Sequence, residues 1–132
     1  MEIVKTYKLF LDDIRNPIDA YSYTGFELFL DNDWKIVRNY DAFTEFINDA
    51  YHENNAFPDM IAFDHDLADE HYGAPTTTIF LEKTGMDCAK WLVDFCIDNE
   101  LTLPHFVCHS MNPAGRNNIN SLLENFRKHQ NG

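Results

Sequence analysis

The chain has 132 residues, 45% of them hydrophobic and 24% charged, which suits one domain with a real core and excludes a disordered or fibrous chain. Ten Lys and Arg stand against 22 Asp and Glu, a formal charge of −12. Such a surface repels polyphosphate, so a role coating long nucleic acid is excluded, although a small anion can still bind where a few Arg converge.

The first apolar run, Tyr7-Lys8-Leu9-Phe10-Leu11, is stopped by Asp12-Asp13 and reads as a short buried strand. Asn16-Pro17 and Gly25 act as breakers, so the stretch 15–33 reads as irregular, with a short helix or turn expected over 26–30. Residues 34–38 read as a second strand. Asp41 is the expected cap of a helix in which Phe43, Phe46, Ile47, Ala50 and Tyr51 recur at helical spacing. Pro58 breaks the chain, and Met60-Ile61-Ala62-Phe63 reads as a third strand ending at Asp64. Residues 67–83 form a long connection containing Gly73-Ala74-Pro75, of a length expected of a lid or binding loop. Thr84 caps the next helix with Asp87 three residues on, and Ala89, Leu92, Val93 and Cys96 form its apolar stripe. Phe106-Val107-Cys108 is a fourth short strand. Asn112-Pro113 is a cap followed by proline at the first helical position, and Ile119, Leu122, Leu123 and Phe126 face inward from that last helix.

Strands alternating with helices imply a mostly parallel sheet covered on both faces, within a single domain over 1–132. The three cysteines, Cys88, Cys96 and Cys108, lie in apolar stretches and fit reduced, buried thiols of a cytoplasmic protein. No apolar run approaches a membrane span, and the start carries no secretory h-region. Neither a membrane nor a long nucleic acid is therefore an expected partner.

In a parallel sheet, ligands bind beyond the carboxyl ends of the strands. The residues that follow the strands here are Asp12, Asp13 and Arg15; Arg38; Asp64, His65 and Asp66; and His109, Ser110 and Asn112. Four carboxylates near one crevice repel one another unless held apart, protonated or bridged by a cation. An oxygen-only set of Asp12, Asp13, Asp64 and Asp66 points to Mg²⁺ or Mn²⁺ rather than zinc. The blander reading is that these are turn-forming Asp residues at strand ends. His65, between two Asp, suits a general acid or a phosphate contact. His109-Ser110-Met111-Asn112-Pro113-Ala114-Gly115-Arg116 joins a strand end to a helix start, where free N–H groups favour an anion, Gly115 permits close approach and Arg116 adds a planar fork. Arg15 and Arg38 either neutralise an anion on this rim or pair with its carboxylates.

The ordered set Leu9-Phe10-Leu11-Asp12-Asp13-Ile14-Arg15-Asn16-Pro17, Trp34–Arg38 with Asp41, Phe63-Asp64-His65-Asp66-Leu67, Thr84-Gly85-Met86-Asp87 and His109–Arg116 resembles the cyclic-phosphate processing receiver-like domain family. The resemblance implies a flavodoxin- or receiver-like three-layer α/β sandwich, here reduced to a four-stranded parallel sheet of order 2-1-3-4. It matches Asp12 and Asp13 to the acidic pair that holds Mg²⁺, Asp64 to the phosphoacceptor position, and Ser110 to the Ser or Thr after the fourth strand. Two departures stand out: the chain after Cys108 has room for one helix and no fifth strand with its Lys, and the stretch 15–33 replaces the first receiver helix.

The resulting expectation is metal-assisted hydrolysis of a cyclic phosphate, either a cyclic nucleotide or a 2′,3′-cyclic phosphate end. The cation would sit on the carboxylates. His65 and His109 would move protons beside Asp64, and Arg15, Arg38, Ser110, Asn112, Gly115 and Arg116 would hold the phosphate. The alternative is a phosphoacceptor or non-enzymatic receiver module that binds a nucleotide or a protein partner.

Overall fold

In a computed structural model, which describes residues 3–67 and 83–131, four strands form one parallel sheet. They are β1 (Lys5–Leu11), β2 (Trp34–Val37), β3 (Ala56–Phe63) and β4 (His105–Cys108), in the order β2-β1-β3-β4. This is the order that the resemblance implied. The central strand β1 explains why a sheet forms with both faces covered. Leu9, Phe10 and Leu11 are consecutive and all fully buried, which alternation allows only when both faces are dry.

One face carries three helices, α2 (Tyr40–Asn54), α3 (Gly85–Asn99) and α4 (Pro113–Asn131). Phe43 and Ile47 of α2, Leu92 of α3, and Ile119 and Leu123 of α4 pack with Leu9, Leu11, Ile61 and Phe63. The other face is covered more thinly, by α1 (Pro17–Thr24) and a 3₁₀ turn (Glu27–Leu30), which bring Ala20 and Phe29 onto Phe10, Trp34 and Ala62. Register sets this division, since Phe10 lies opposite both Ile36 and Ala62, and Ala62 opposite Val107.

The structure corrects three expectations about elements. Residues 17–24 are a helix, not irregular chain. Pro17 occupies its first turn, Asp19 accepts the Asn16 N–H at 2.9 Å, and Gly25, at φ 71°, closes it in a left-handed conformation that costs glycine nothing. The cap of α2 is Asn39, whose side chain accepts the Ala42 N–H at 2.8 Å, whereas Asp41 lies in the first turn, facing the positive end of the helix dipole. Pro58 lies inside β3 rather than before it. It is tolerated because the β1–β3 register shifts beside it and pairing with β4 starts only at Met60, so no ladder bond needs its missing N–H.

The caps expected at Thr84 and Asn112 are formed: Thr84 and Asp87 bond reciprocally, and the Asn112 side chain accepts the Gly115 N–H at 3.0 Å. The lid expected within 67–83 falls on residues 68–82, outside the described residues. Among the described residues no helix is long and apolar enough to cross a membrane. All three cysteines are free and buried, and burial pushes the Cys108 thiol up to about 11, which makes it a poor nucleophile.

Candidate functional site

Parallel strands end on one edge, and the ladder continues past their formal ends. The Asp12 N–H donates to Val37 O, the Asp64 N–H to Leu11 O, and the His109 N–H to Phe63 O, at 2.9–3.2 Å. The first polar residue after each of β1, β3 and β4 is therefore fixed by the sheet itself. Asp12, Asp13 and Asp64 each bring a carboxylate oxygen within 4.8 Å of the others. This trio is the candidate metal centre, and its all-oxygen chemistry fits a hard divalent cation such as Mg²⁺ or Mn²⁺.

The three carboxylates are not equivalent. Asp12 is fully buried and amply bonded. Its Oδ1 accepts the backbone N–H groups of Ile14 and Arg15 at 3.0 and 2.8 Å, and its Oδ2 lies 2.9 Å from His109 Nε2. Burial alone would raise its pKa, but the His109 bond and the two N–H donors outweigh it and hold Asp12 below its ordinary value. Asp64 is also buried, yet among the described residues its carboxylate accepts a hydrogen bond from the His65 N–H alone, at 2.8 Å. Burial, then the charges of Asp12 and Asp13, push Asp64 up to about 7. Such a carboxylate gains when a divalent cation arrives, because both causes of its raised pKa are then relieved.

Asp66, expected in the same ligand set, is not part of the trio. Its side chain is 63% exposed and lies 2.9 Å from His65 Nδ1 and 3.4 Å from the Asn112 side-chain amide. It bonds to the histidine and the helix cap, and lines the same opening as Asp13 and Asp64 without joining their cluster.

The two histidines are separated by burial, not paired on an open rim as expected. The His109 ring is inside the protein, stacked on Phe10 at 4.5 Å with its edge against Phe29. Its Nε2 meets Asp12, and its Nδ1 has no hydrogen-bond partner among the described residues. The alternation of β4 puts His109 on the thinly covered face with Val107, which is why the ring turns into the core. His65, by contrast, keeps partial exposure and is held by Asp66.

Two glycines make room around the β3 end. A Cβ on Gly115 would sit 2.3 Å from His65 Cγ, and a Cβ on Gly85 would sit 1.7 Å from the Asp64 carbonyl oxygen. The Gly85 N–H also donates to the His65 carbonyl at 2.7 Å. Gly115 was expected to admit a ligand. Instead it admits the His65 ring, and its N–H is already taken by Asn112. Gly85 was given no role from the sequence, although it stands inside the Thr84-Gly85-Met86-Asp87 motif that could have flagged it.

The arginines also divide. Arg38 was expected to meet an anion. Its guanidinium instead donates to the carbonyls of Asp12 and Arg15 and to the Asn16 side chain, so it clamps the loop that carries the acidic pair. Arg15 reaches Asp12 Oδ2 at 3.6 Å and Met111 Sδ at 3.4 Å, and it lies over the Tyr23 ring at 5.3 Å. Arg116 donates to the Ser110 carbonyl at 3.1 Å. Ser110 is buried, and its Oγ accepts the Asn112 N–H at 3.1 Å.

A cavity of about 330 Å³ opens on two of the trio, and is lined by Asp13, Ile14, Arg15, Asp64, Asp66, Ser110, Met111 and Asn112. Beside it a second cavity, of about 430 Å³, is lined by Tyr23, Thr24, Phe26, Cys108, His109, Ser110, Met111 and Arg116. The structure thus brings Asp13, Asp64, Asp66, Arg15, Ser110 and Asn112 to one opening, leaves Arg38 beneath it and puts Arg116 next door. Tyr23, Phe26, Ile14 and Met111 were given no site role in the sequence reading. Only α1 and the turn after it bring Tyr23 and Phe26 there, and the sequence pattern did not disclose that helix.

A family model described as the cyclic-phosphate processing receiver domain matches residues 7–125. Comparison with curated proteins and with solved structures found no match.

Proposed function

Because the chain belongs to the cyclic-phosphate processing receiver domain family, we propose that it hydrolyses a cyclic phosphodiester with the help of Mg²⁺ or Mn²⁺. Family membership supports a role in cyclic-phosphate processing. One observation carries the finer reading: Asp13, Asp64 and Arg15 line a single cavity. That cavity offers carboxylates to a cation and a guanidinium fork to the phosphate oxygens that the cation attracts.

In this reading Asp13 and Asp64 hold the cation, and Asp12 braces the pair from below. When bound, the cation polarises a phosphoryl oxygen and lowers the pKa of an attached water. Arg15 binds a non-bridging oxygen, and the Asn112 amide and Ser110 hydroxyl border the same opening. Asp66 accepts the Nδ1–H of His65 and so leaves the Nε2 lone pair to move a proton. His109 acts through Asp12 as a positioning residue, because its ring is out of reach of a ligand in the cavity.

The test is a screen of the purified protein with Mg²⁺ or Mn²⁺ against cyclic mononucleotides, cyclic dinucleotides and RNA with 2′,3′-cyclic phosphate ends, followed by ³¹P NMR. Metal-dependent ring opening that Asp64→Asn abolishes is the expected result. A stable phosphoryl adduct on Asp64 after acetyl phosphate treatment, without hydrolysis of any cyclic phosphate, would favour a phosphoacceptor module instead.

A further inference from the structure

We infer that the second cavity is a subsite for the aromatic base of a nucleotide, built by Tyr23, Phe26, Met111 and Arg116. The inference rests on the cyclic-phosphate reading of the acidic cavity and adds the group that lies beyond the phosphate. Ser110 and Met111 line both cavities, so one ligand can extend from one into the other. At about 430 Å³ the second space falls in the range of small-molecule sites.

Its lining differs in kind from that of its neighbour. Tyr23 and Phe26 contribute rings where the first cavity has carboxylates. Phe26 is 42% exposed and Met111 is 61% exposed, and both line the cavity, so apolar surface stands open beside a polar rim. Tyr23 is pre-set for contact: its hydroxyl donates to the His109 carbonyl at 2.7 Å and Arg15 lies over its ring. Arg15 thus stands between the phosphate end and the aromatic end, touching Asp12, Met111 and Tyr23. Arg116 spends one nitrogen on the Ser110 carbonyl, and its remaining donors suit the ring nitrogens and carbonyls of a base. Aromatic side chains accept any base through its π-face, so this subsite selects for a base without selecting strongly among bases.

Calorimetric titration with adenosine 5′-monophosphate and with ribose 5-phosphate, each with Mg²⁺, isolates the base. The two ligands share sugar and phosphate. The wild type is expected to bind the nucleotide about tenfold or more tightly than the sugar phosphate, the scale of one base stacked on an aromatic side chain. Phe26→Ala should reduce that ratio severalfold. Phe26→Leu, which keeps apolar bulk and protects the fold, should reduce it in the same direction. Asp13→Asn should weaken both ligands together and leave the ratio standing. Equal affinities in the wild type, no binding of either ligand, or a ratio unchanged in both Phe26 variants would overturn the subsite. Failure of the hydrolysis reading is separate: the ratio would hold while cyclic nucleotides remain uncleaved.

Discussion

Asp12 and Asp64 stand at equivalent places, each following a neighbouring central strand, each buried, each within one acidic trio. Their surroundings are opposite. Asp12 meets two backbone N–H groups, His109 and Arg15, and these outweigh the cost of its burial. Asp64 receives one backbone N–H and the attraction of Arg15, which together fall short of its burial and the repulsion of two carboxylates. On the proposed reading, the poorly compensated acid is the one that a cation would serve. The same division runs through the other pairs: His109 is enclosed while His65 is at the rim, and Arg38 clamps a loop while Arg15 lines the cavity.

The largest expected effect is kinetic. His65→Ala should lower kcat by about 10²–10⁴-fold, the scale of a positioned proton-transfer group, with little change in Tm. His109→Ala should instead show itself first as lost stability, measured by chemical denaturation, since it opens a hole beside Phe10 and strips Asp12 of a partner. If the two variants exchange these phenotypes, the assignment of rim and brace is reversed.

Next comes the compensated side. Asp12→Ala removes a buried partner from His109 and the acceptor of two N–H groups, and should cost about 3–5 kcal/mol in urea unfolding. A loss below about 1 kcal/mol would mean that the pair is not the brace described above.

The uncompensated side should respond with the opposite sign. The folded pKa of Asp64, about 7, lies above the unfolded carboxyl value, so the folded state binds the extra proton between them. Without metal, its contribution to stability is therefore full below about pH 4 and is lost as pH rises to about 7. Asp64→Asn keeps an acceptor for the His65 N–H but no charge. It should stabilise the metal-free protein at pH 8 by on the order of 1–4 kcal/mol and flatten that slope. Destabilisation at pH 8 would show that Asp64 is compensated after all.

Much of this division was legible in the residues, and some was not. That Asp12, Asp64 and His109 share one edge could be read because each follows an apolar run, and parallel strands all end on the same side. What each side chain meets there depends on packing that periodicity does not encode. The helix α1 buries only Ala20, so it has no apolar stripe to find; its signature was the cap Asn16-Pro17 with Asp19, which read instead as a breaker. Without α1, Tyr23 and the second cavity were invisible. Arg38 and Gly115 were read as ligand-facing because their residue types suit anions. Their actual partners, loop carbonyls and the His65 ring, come from elements distant in sequence.

The smallest predicted effect concerns spacing at the site. Gly115→Ala sets a methyl against the His65 ring, which must shift, and should cost about 1–3 kcal/mol in the same urea assay, together with part of the turnover. An Ala variant with wild-type stability and rate would show that the close approach of α4 to His65 is incidental.

The central claim is that Asp13 and Asp64, and not the exposed Asp66, hold a divalent cation. Mn²⁺ titration followed by electron paramagnetic resonance tests it directly. The account predicts saturable binding at a single site in the wild type and in Asp66→Asn, and loss of that binding in Asp13→Asn and in Asp64→Asn. Binding that survives in both of the latter variants, or that disappears in Asp66→Asn alone, would contradict it.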